Sequence, residues 1–334
     1  MASKTAATVA LCDMENGQEG DVFLLLAGKQ ELTTREGKPY FKVAFRGAGR
    51  EVAFPIWHDS TWADACKNQW VQGAFYKVRA VYRDTNYGPQ LEIRKIREVV
   101  DNDARDGFDA AMFHPRSRYE PQAMFDELSA IARQRIECPA LRDLVLDLLT
   151  QHREPLLSLP AATRNHHCYL GGYLEHVLSV TKTCVYLAEK YDDYYPDLKP
   201  RLDRGLVVAG AILHDIGKLR EIELQTEGAA YTAAGTLVGH ILQGRDIVRE
   251  AVAGRDIDPE LLLRLEHIII SHQRLPEWGS PKPPMTPEAL IVHYADDLDA
   301  KYHMMYITLR DDPNPGPLTS KKNQLYQQVY RGGA

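Results

Sequence analysis

"AGAILHDIGKLREI", residues Ala209 to Ile222, begins as an apolar run and then sets His214 beside Asp215, with Gly217 and Lys218 close behind. The plainer reading is a helix end whose polar groups are locally satisfied. The sharper one is a metal pocket. Successive helical residues point about 100° apart, so an adjacent His and Asp reach two neighbouring points on one pocket wall. Imidazole and carboxylate suit Mn, Mg, Fe, Ni, Co or Zn, and a carboxylate so placed can bridge two ions about 3.5–4 Å apart. Lys218, at i+3 from Asp215, shares that face and offers a cation to a phosphate oxygen. Glycine in a helix costs about 1 kcal/mol relative to alanine. Close approach of a ligand or backbone would account for Gly217.

Outward from this stretch the texture stays helical. "PQAMFDELSAIARQRI" opens with Pro121 at a first helical position, and "CPALRDLVLDLLTQH" puts Leu141, Leu144, Val145, Leu148 and Leu149 on one face. Further helices are predicted over residues 176–190, 202–219, 237–253, 259–271 and 287–309. No strand pattern stands out after residue 120, so this half reads as all-α. His176, His240, His267, His272 and Asp296 all fall within apolar helical contexts. Taken singly, each such histidine reads as a core residue with a backbone partner. As a set they are harder to dismiss, because several buried ionisable groups without partners are costly.

The region before this differs. "VFLLL", "YFKVAF", "EVAFPIW", "AFYKVRAVY" and "LEIRKIREV" are short runs rich in Val, Ile, Phe and Tyr, separated by "REGKP", "GAG" and "NYGPQ". Five short strands in about 80 residues point to a small β-barrel of the OB type. The expected organisation is therefore multidomain α+β. A flexible N-terminus (residues 1–20) precedes an OB-type β-barrel (21–100), a linker (101–120), an all-α helical bundle (121–312) and a C-terminal tail (313–334).

The composition is ordinary for a globular chain: 334 residues, 44% hydrophobic and 26% charged. A net charge of −6 argues against a protein that coats nucleic acid over its whole surface. Residues 21–100 nevertheless hold thirteen Lys/Arg against nine Asp/Glu. Lys38, Tyr40, Lys42, Phe45, Arg46, Tyr76, Lys77, Arg79, Tyr82, Arg83 and Tyr87 mix cations with rings, as in grooves where bases stack and phosphates meet cations. The bland alternative is barrel core plus solvated exterior. The cysteine count, five, is odd, with no CxxC pair, which reads as reduced thiols. No signal peptide or membrane span is recognisable, and a cytoplasmic location is expected.

The ordered set His176, His214–Asp215 and Asp296 resembles the HD-domain metal-dependent phosphohydrolases. Asp297 and Asp299 are runners-up for the distal aspartate. Longer strings, "NHHCYLGGYLEH", "LHDIGK", "GHI", "SHQ…PEWGSPKPPMTPEA" and "HYADDLDAK", resemble the OB-fold/HD 3′-to-5′ exoribonucleases of the YhaM type over residues 20–310. The resemblance implies an HD bundle holding one or two divalent ions, manganese first among the metals named above. The ligands would be His176, His214, Asp215 and Asp296, with His240 and His272 for a second ion and His267 in reserve. Relatives tend to carry His-His where this chain has His272–Gln273, which leaves the number of ions open.

Lys218 and Asp215 would be catalytic. His166, His167, Trp278, Lys42 and Arg79 would touch substrate, and His293 would support a ligand. His58, His114, His152 and His303 read as ordinary. The implied activity is metal-dependent 3′-to-5′ hydrolysis of single-stranded RNA, and also of single-stranded DNA, by a homo-oligomer without membrane attachment. Two rivals are a phosphohydrolase of small or cyclic nucleotides and a non-enzymatic single-strand binder with a decayed metal site.

Overall fold

The computed structural model describes residues 8–34, 36–85, 88–163, 166–225 and 228–332. Tyr87, Arg164, Asn165 and the first seven residues lie outside them. Two compact units emerge, Met1–Pro115 with Gln225–Gly228, and Arg116–Leu224 with Ala229–Ala334.

The first unit is a five-stranded antiparallel sheet. It comprises β1 (Glu19–Thr33), β2 (Pro39–Gly47), β3 (Arg50–Trp57), β4 (Phe75–Thr85) and β5 (Gly88–Glu98), in the order β3-β2-β1-β4-β5. The long β1 serves two partners, pairing with β4 through its first half and with β2 through its second, and it bulges between Leu26 and Gly28. Alternation decides the inner face. Phe41, Val43 and Phe45 are buried with Val22, Leu24 and Leu26, while Lys42 points outward. Helix α1 (Ala63–Asn68) lies between β3 and β4 in the chain, and Cys66 and Trp70 join this core. The end strands β3 and β5 approach each other. No hydrogen-bonded pairing joins them among the described residues, so the expected barrel is an antiparallel sheet without a hydrogen-bonded seam.

Residues read as a linker pack on this sheet. Phe108 and Phe113 join Phe75 in an aromatic cluster, with ring centroids 5.0–6.0 Å apart. Asp103 is buried beneath Arg97. Sequence periodicity missed this because short 3₁₀ turns carry no helical repeat.

The second unit contains α2 (Pro121–Arg135), α3 (Pro139–Gln151), α4 (Arg153–Ser158), α5 (Gly172–Tyr194), α6 (Arg204–Leu213), α7 (Lys218–Glu221), α8 (Ala233–Val238), α9 (His240–Val252), α10 (Pro259–Ser271) and α11 (Pro287–Asp311). Proline occupies the first turn of α2, α3, α10 and α11, where its missing N–H costs nothing. Asp203, Asp258 and Thr286 cap α6, α10 and α11 through their side-chain oxygens. Helices α5, α6 and α11 pack on one another, and α10 packs on α6, α9 and α11.

Three expectations for this half need correction. The helix predicted over 202–219 stops at Leu213, and residues 214–217 form a turn. The all-α reading is broken by a two-stranded sheet of β6 (Ile222–Gln225) and β7 (Gly228–Tyr231). Four-residue strands are too short to show an alternating pattern. The tail predicted over 313–334 folds back on itself, with a Leu318–Tyr330 bridge and Thr319 and Val329 buried. No helix of the described residues is long and apolar enough to cross a membrane.

Candidate metal centre

The break after Leu213 aims the side chains that follow. His214 caps α6, and its Nδ1 lies 2.8 Å from the Ala211 carbonyl oxygen, which directs Nε2 inward. Asp215 follows in the turn. Gly217 is required by backbone crowding: a Cβ there would lie 1.9 Å from the His240 carbonyl oxygen and 2.5 Å from the Gly244 nitrogen. That contact seats the start of α9, and hence His240, against the turn. Backbone approach thus explains the glycine.

His176 from α5 and Asp296 from α11 complete one side. His176 Nε2 lies 3.2 Å from Asp296 Oδ1 and 3.5 Å from Asp215 Oδ2, and His214 Nε2 lies 3.5 Å from Asp215 Oδ2 and 3.8 Å from Asp296 Oδ1. On the other side Asp215 Oδ1 lies 3.3 Å from His240 Nε2 and 3.6 Å from His272 Nε2. The donor atoms of His176, His214 and Asp215 fall within 4.8 Å of one another, as do those of Asp215, His240 and His272. Asp215 is common to both groups, one oxygen facing each.

Whether these residues suit a metal can be judged from what they lack. His176, His214, His272 and Asp215 are 0–2% exposed. Nε2 of all three histidines and Oδ1 of Asp215 have no hydrogen-bond partner. Buried polar atoms are nearly always satisfied. Four converging exceptions, all of ligand chemistry, fit one or two divalent cations.

A second layer of contacts fixes the imidazoles. His176 Nδ1 lies 2.7 Å from Asp299 Oδ2, and the other Asp299 oxygen accepts from Ser179 Oγ at 2.5 Å. His240 Nδ1 and its backbone N–H both meet Glu221 Oε1 at 2.9 Å. His272 Nδ1 lies 2.8 Å from the Ile269 carbonyl oxygen, and His293 Nδ1 lies 2.7 Å from the carbonyl oxygen of His272. Lys218 Nζ donates to Asp215 Oδ2 at 2.5 Å. It therefore neutralises this carboxylate and is itself buried.

The electrostatics follow. Burial works against charge on Asp215, but Lys218 and His214 outweigh it and hold the carboxyl well below the usual range. Burial lowers His176, yet Asp215, Asp296 and Asp299 raise it well above an ordinary imidazole. Burial pushes His214 down to about 4 despite its acidic neighbours.

Other candidates scatter. Asp299 sits behind His176, on the face opposite Asp296, and Asp297 pairs with Lys301. His267 accepts from the Met285 N–H, outside the two groups. Gln273 approaches the centre through its amide, 3.3 Å from His240 Nε2.

The adjacent His166 and His167 diverge. His166 Nδ1 is buried without a partner, its ring 5.3 Å from that of His176, and burial pushes its pKa down to about 3. His167, at φ 49°, meets Asp299 through Nε2 at 3.1 Å and stacks on His303 at 3.9 Å. His303, read as ordinary, is thus part of the support, as is Glu221, which sequence reasoning missed. Glu221 stands between Arg220 and Ile222 in "KLREI", a charged context that gave no signal of its role. Trp278 lies half-exposed with Lys301 Nζ 5.9 Å above its ring. Lys42 is exposed on the sheet, and Arg79 is paired with Glu19 at 2.7 Å.

Residues 173–301 match the family model of the HD domain. Such a domain implies a metal-dependent phosphohydrolase, and its cluster of histidines and aspartates supports a divalent metal. The HD match takes in His176, His214, Asp215, His240, His272, Asp296 and Asp299, and begins after His166 and His167. No solved structure matches the chain.

Proposed function

We propose that the chain is a metal-dependent 3′-to-5′ exonuclease of single-stranded RNA, with single-stranded DNA as a further substrate. The observation that carries the hydrolytic part is the position of Asp215 between two groups of imidazole nitrogens, of which those of His176, His214 and His272 have no hydrogen-bond partner. His176, His214, Asp215 and Asp296 would hold one ion, and Asp215, His240 and His272 a second. When bound, such ions lower the pKa of a coordinated water and offset charge on phosphoryl oxygens.

The chain's own contribution is preorganisation. Asp299, Glu221 and the Ala211 and Ile269 carbonyls hold the imidazoles in place. Lys218 keeps Asp215 ionised at the centre of a buried site. His166, neutral and unpartnered, stands ready to contact a phosphate or leaving oxygen. The strand reading draws on the resemblance of residues 20–310. It is supported by the outward Tyr40–Trp57 ring pair at 5.0 Å on the strands that carry Lys42.

A second reading, hydrolysis of small nucleotides, is favoured by one feature. Arg46, Arg79 and Arg83 on the sheet are already paired with Glu51, Glu19 and Glu92. Purified protein incubated with 5′-labelled single-stranded RNA should give a ladder shortening from the 3′ end with Mn²⁺ and none with EDTA. RNA that stays intact while mononucleotides or cyclic nucleotides are consumed would overturn the exonuclease in favour of the second reading. Binding of RNA without any hydrolysis would overturn both.

A further inference from the structure

The imidazoles of the centre are not equivalent. Nε2 of His176, His214 and His272 has no hydrogen-bond partner, whereas Nε2 of His240 has one, the side-chain amide of Gln273 at 3.3 Å. The direction of that bond follows from the other side of the ring. His240 Nδ1 meets the Glu221 carboxylate at 2.9 Å. A carboxylate oxygen accepts, so Nδ1 carries the proton and Nε2 presents a lone pair. Gln273 therefore turns its NH2 group, not its carbonyl oxygen, toward His240.

The main chain holds the amide there. After α10 the chain reverses at Arg274, whose φ of 67° is a conformation that a non-glycine residue keeps only when its surroundings impose it. The Gln273 N–H donates to Oγ of the fully buried Ser280 at 3.1 Å, and the Gln273 carbonyl oxygen accepts from the Leu275 N–H at 2.7 Å. With the backbone pinned on both sides, only the side-chain torsions of Gln273 can release His240.

The two donor groups thus differ in themselves. His176, His214, Asp215 and Asp296 supply two carboxylates and two open imidazole nitrogens. Asp215, His240 and His272 supply only the shared carboxylate, and one of their two imidazole lone pairs is engaged by Gln273. A cation in the second group must break that hydrogen bond and also sit beside a first cation, which like charge opposes.

We propose that Gln273 is a latch on the second ion position. The centre takes one divalent ion tightly and a second weakly, and the second enters only when the amide swings off His240. This rests on the metal-centre reading above, and the test separates the failure of one from the failure of the other.

Metal-free full chain is titrated with Mn²⁺, and free ion is followed by its paramagnetic resonance signal. The titration should resolve a tight and a weak ion, about tenfold or more apart in affinity. His240→Ala should abolish the weak ion and keep the tight one, which assigns the two. Gln273→Met keeps the side-chain length, cannot donate, and offers only a thioether, a poor ligand for Mn²⁺. It should tighten the weak ion by about three- to tenfold, the worth of one hydrogen bond, and leave the tight one unchanged. A single bound ion, two ions of equal affinity, or a weak ion unmoved by Gln273→Met overturns the latch and leaves the metal centre standing. A weak ion made weaker by Gln273→Met also overturns it, because the amide would then be a ligand. Wild-type protein that binds no Mn²⁺ overturns the latch and the metal centre together.

Discussion

Asp103 in the sheet unit and Asp215 in the helical unit are equally hidden from solvent, at 2% exposure each, and are treated in opposite ways. Asp103 is fully satisfied. Arg97 donates to both its oxygens at 2.7 Å, the Val100 N–H adds a third bond at 2.9 Å, and Lys77 stands 3.6 Å away. Asp215 has Lys218 on one oxygen and no hydrogen bond on the other, which faces the Nε2 of His240 and the equally bare Nε2 of His272. A buried carboxylate with every bond made holds structure together. One with an oxygen left open among open ring nitrogens is kept for a ligand, because folding alone offers no return for the desolvation.

The largest test of this contrast is Asp215→Asn. Hydrolysis should fall at least a thousandfold, and bound Mn²⁺ should be lost by elemental analysis. Asp215→Asn also leaves buried Lys218 without its counter-ion, so the metal-free protein should lose stability, and the double change Asp215→Asn/Lys218→Met should recover it. Metal content unchanged in Asp215→Asn would place Asp215 with Asp103 as a structural group. Asp299→Ala sharpens the picture by one layer. Removing the carboxylate behind His176 should weaken metal binding about 10–100-fold in competition with a chelator, with little change in fold.

Asp103→Asn should do the reverse of Asp215→Asn where the metal is concerned. Metal content and hydrolysis stay near wild type, and stability falls by about 1–2 kcal/mol in urea. This is at the low side for charged hydrogen bonds because Arg97 is half exposed and screened. The Arg97 guanidinium holds the Asp103 carboxyl well below its ordinary 3.8. A group depressed in the folded state stabilises above its unfolded pKa and loses that contribution as pH falls. The wild-type advantage over Asp103→Asn is therefore complete above about pH 4 and shrinks below it. The smallest effect is expected of Lys42→Ala. Single-stranded RNA binding should weaken two- to threefold, and the slope of log affinity against log salt should flatten by about 0.7. No change in either would remove Lys42 from the strand path.

Much of the centre was legible because metal-ligand chemistry leaves polar residues where apolar helices should run. His176, His214, Asp215, His240, His272 and Asp296 all interrupt such helices, and all six converge. The supports were not legible. Asp299 and Asp296 look alike in "YADDLDA", and only the direction of each carboxylate about the α11 axis separates a group facing His176 Nε2 from one holding its Nδ1. Glu221, His303 and His167 act through contacts with residues distant in the chain.

By itself the sequence determined the two textures, the apolar faces, the capped and proline-led helix starts and the types of ligand available, because these rest on local periodicity and chemistry. Tertiary structure decided that Asp215 stands between two sets of imidazoles and that Gly217 yields to the backbone of α9. These depend on which surfaces meet when distant segments pack, and no local pattern encodes that.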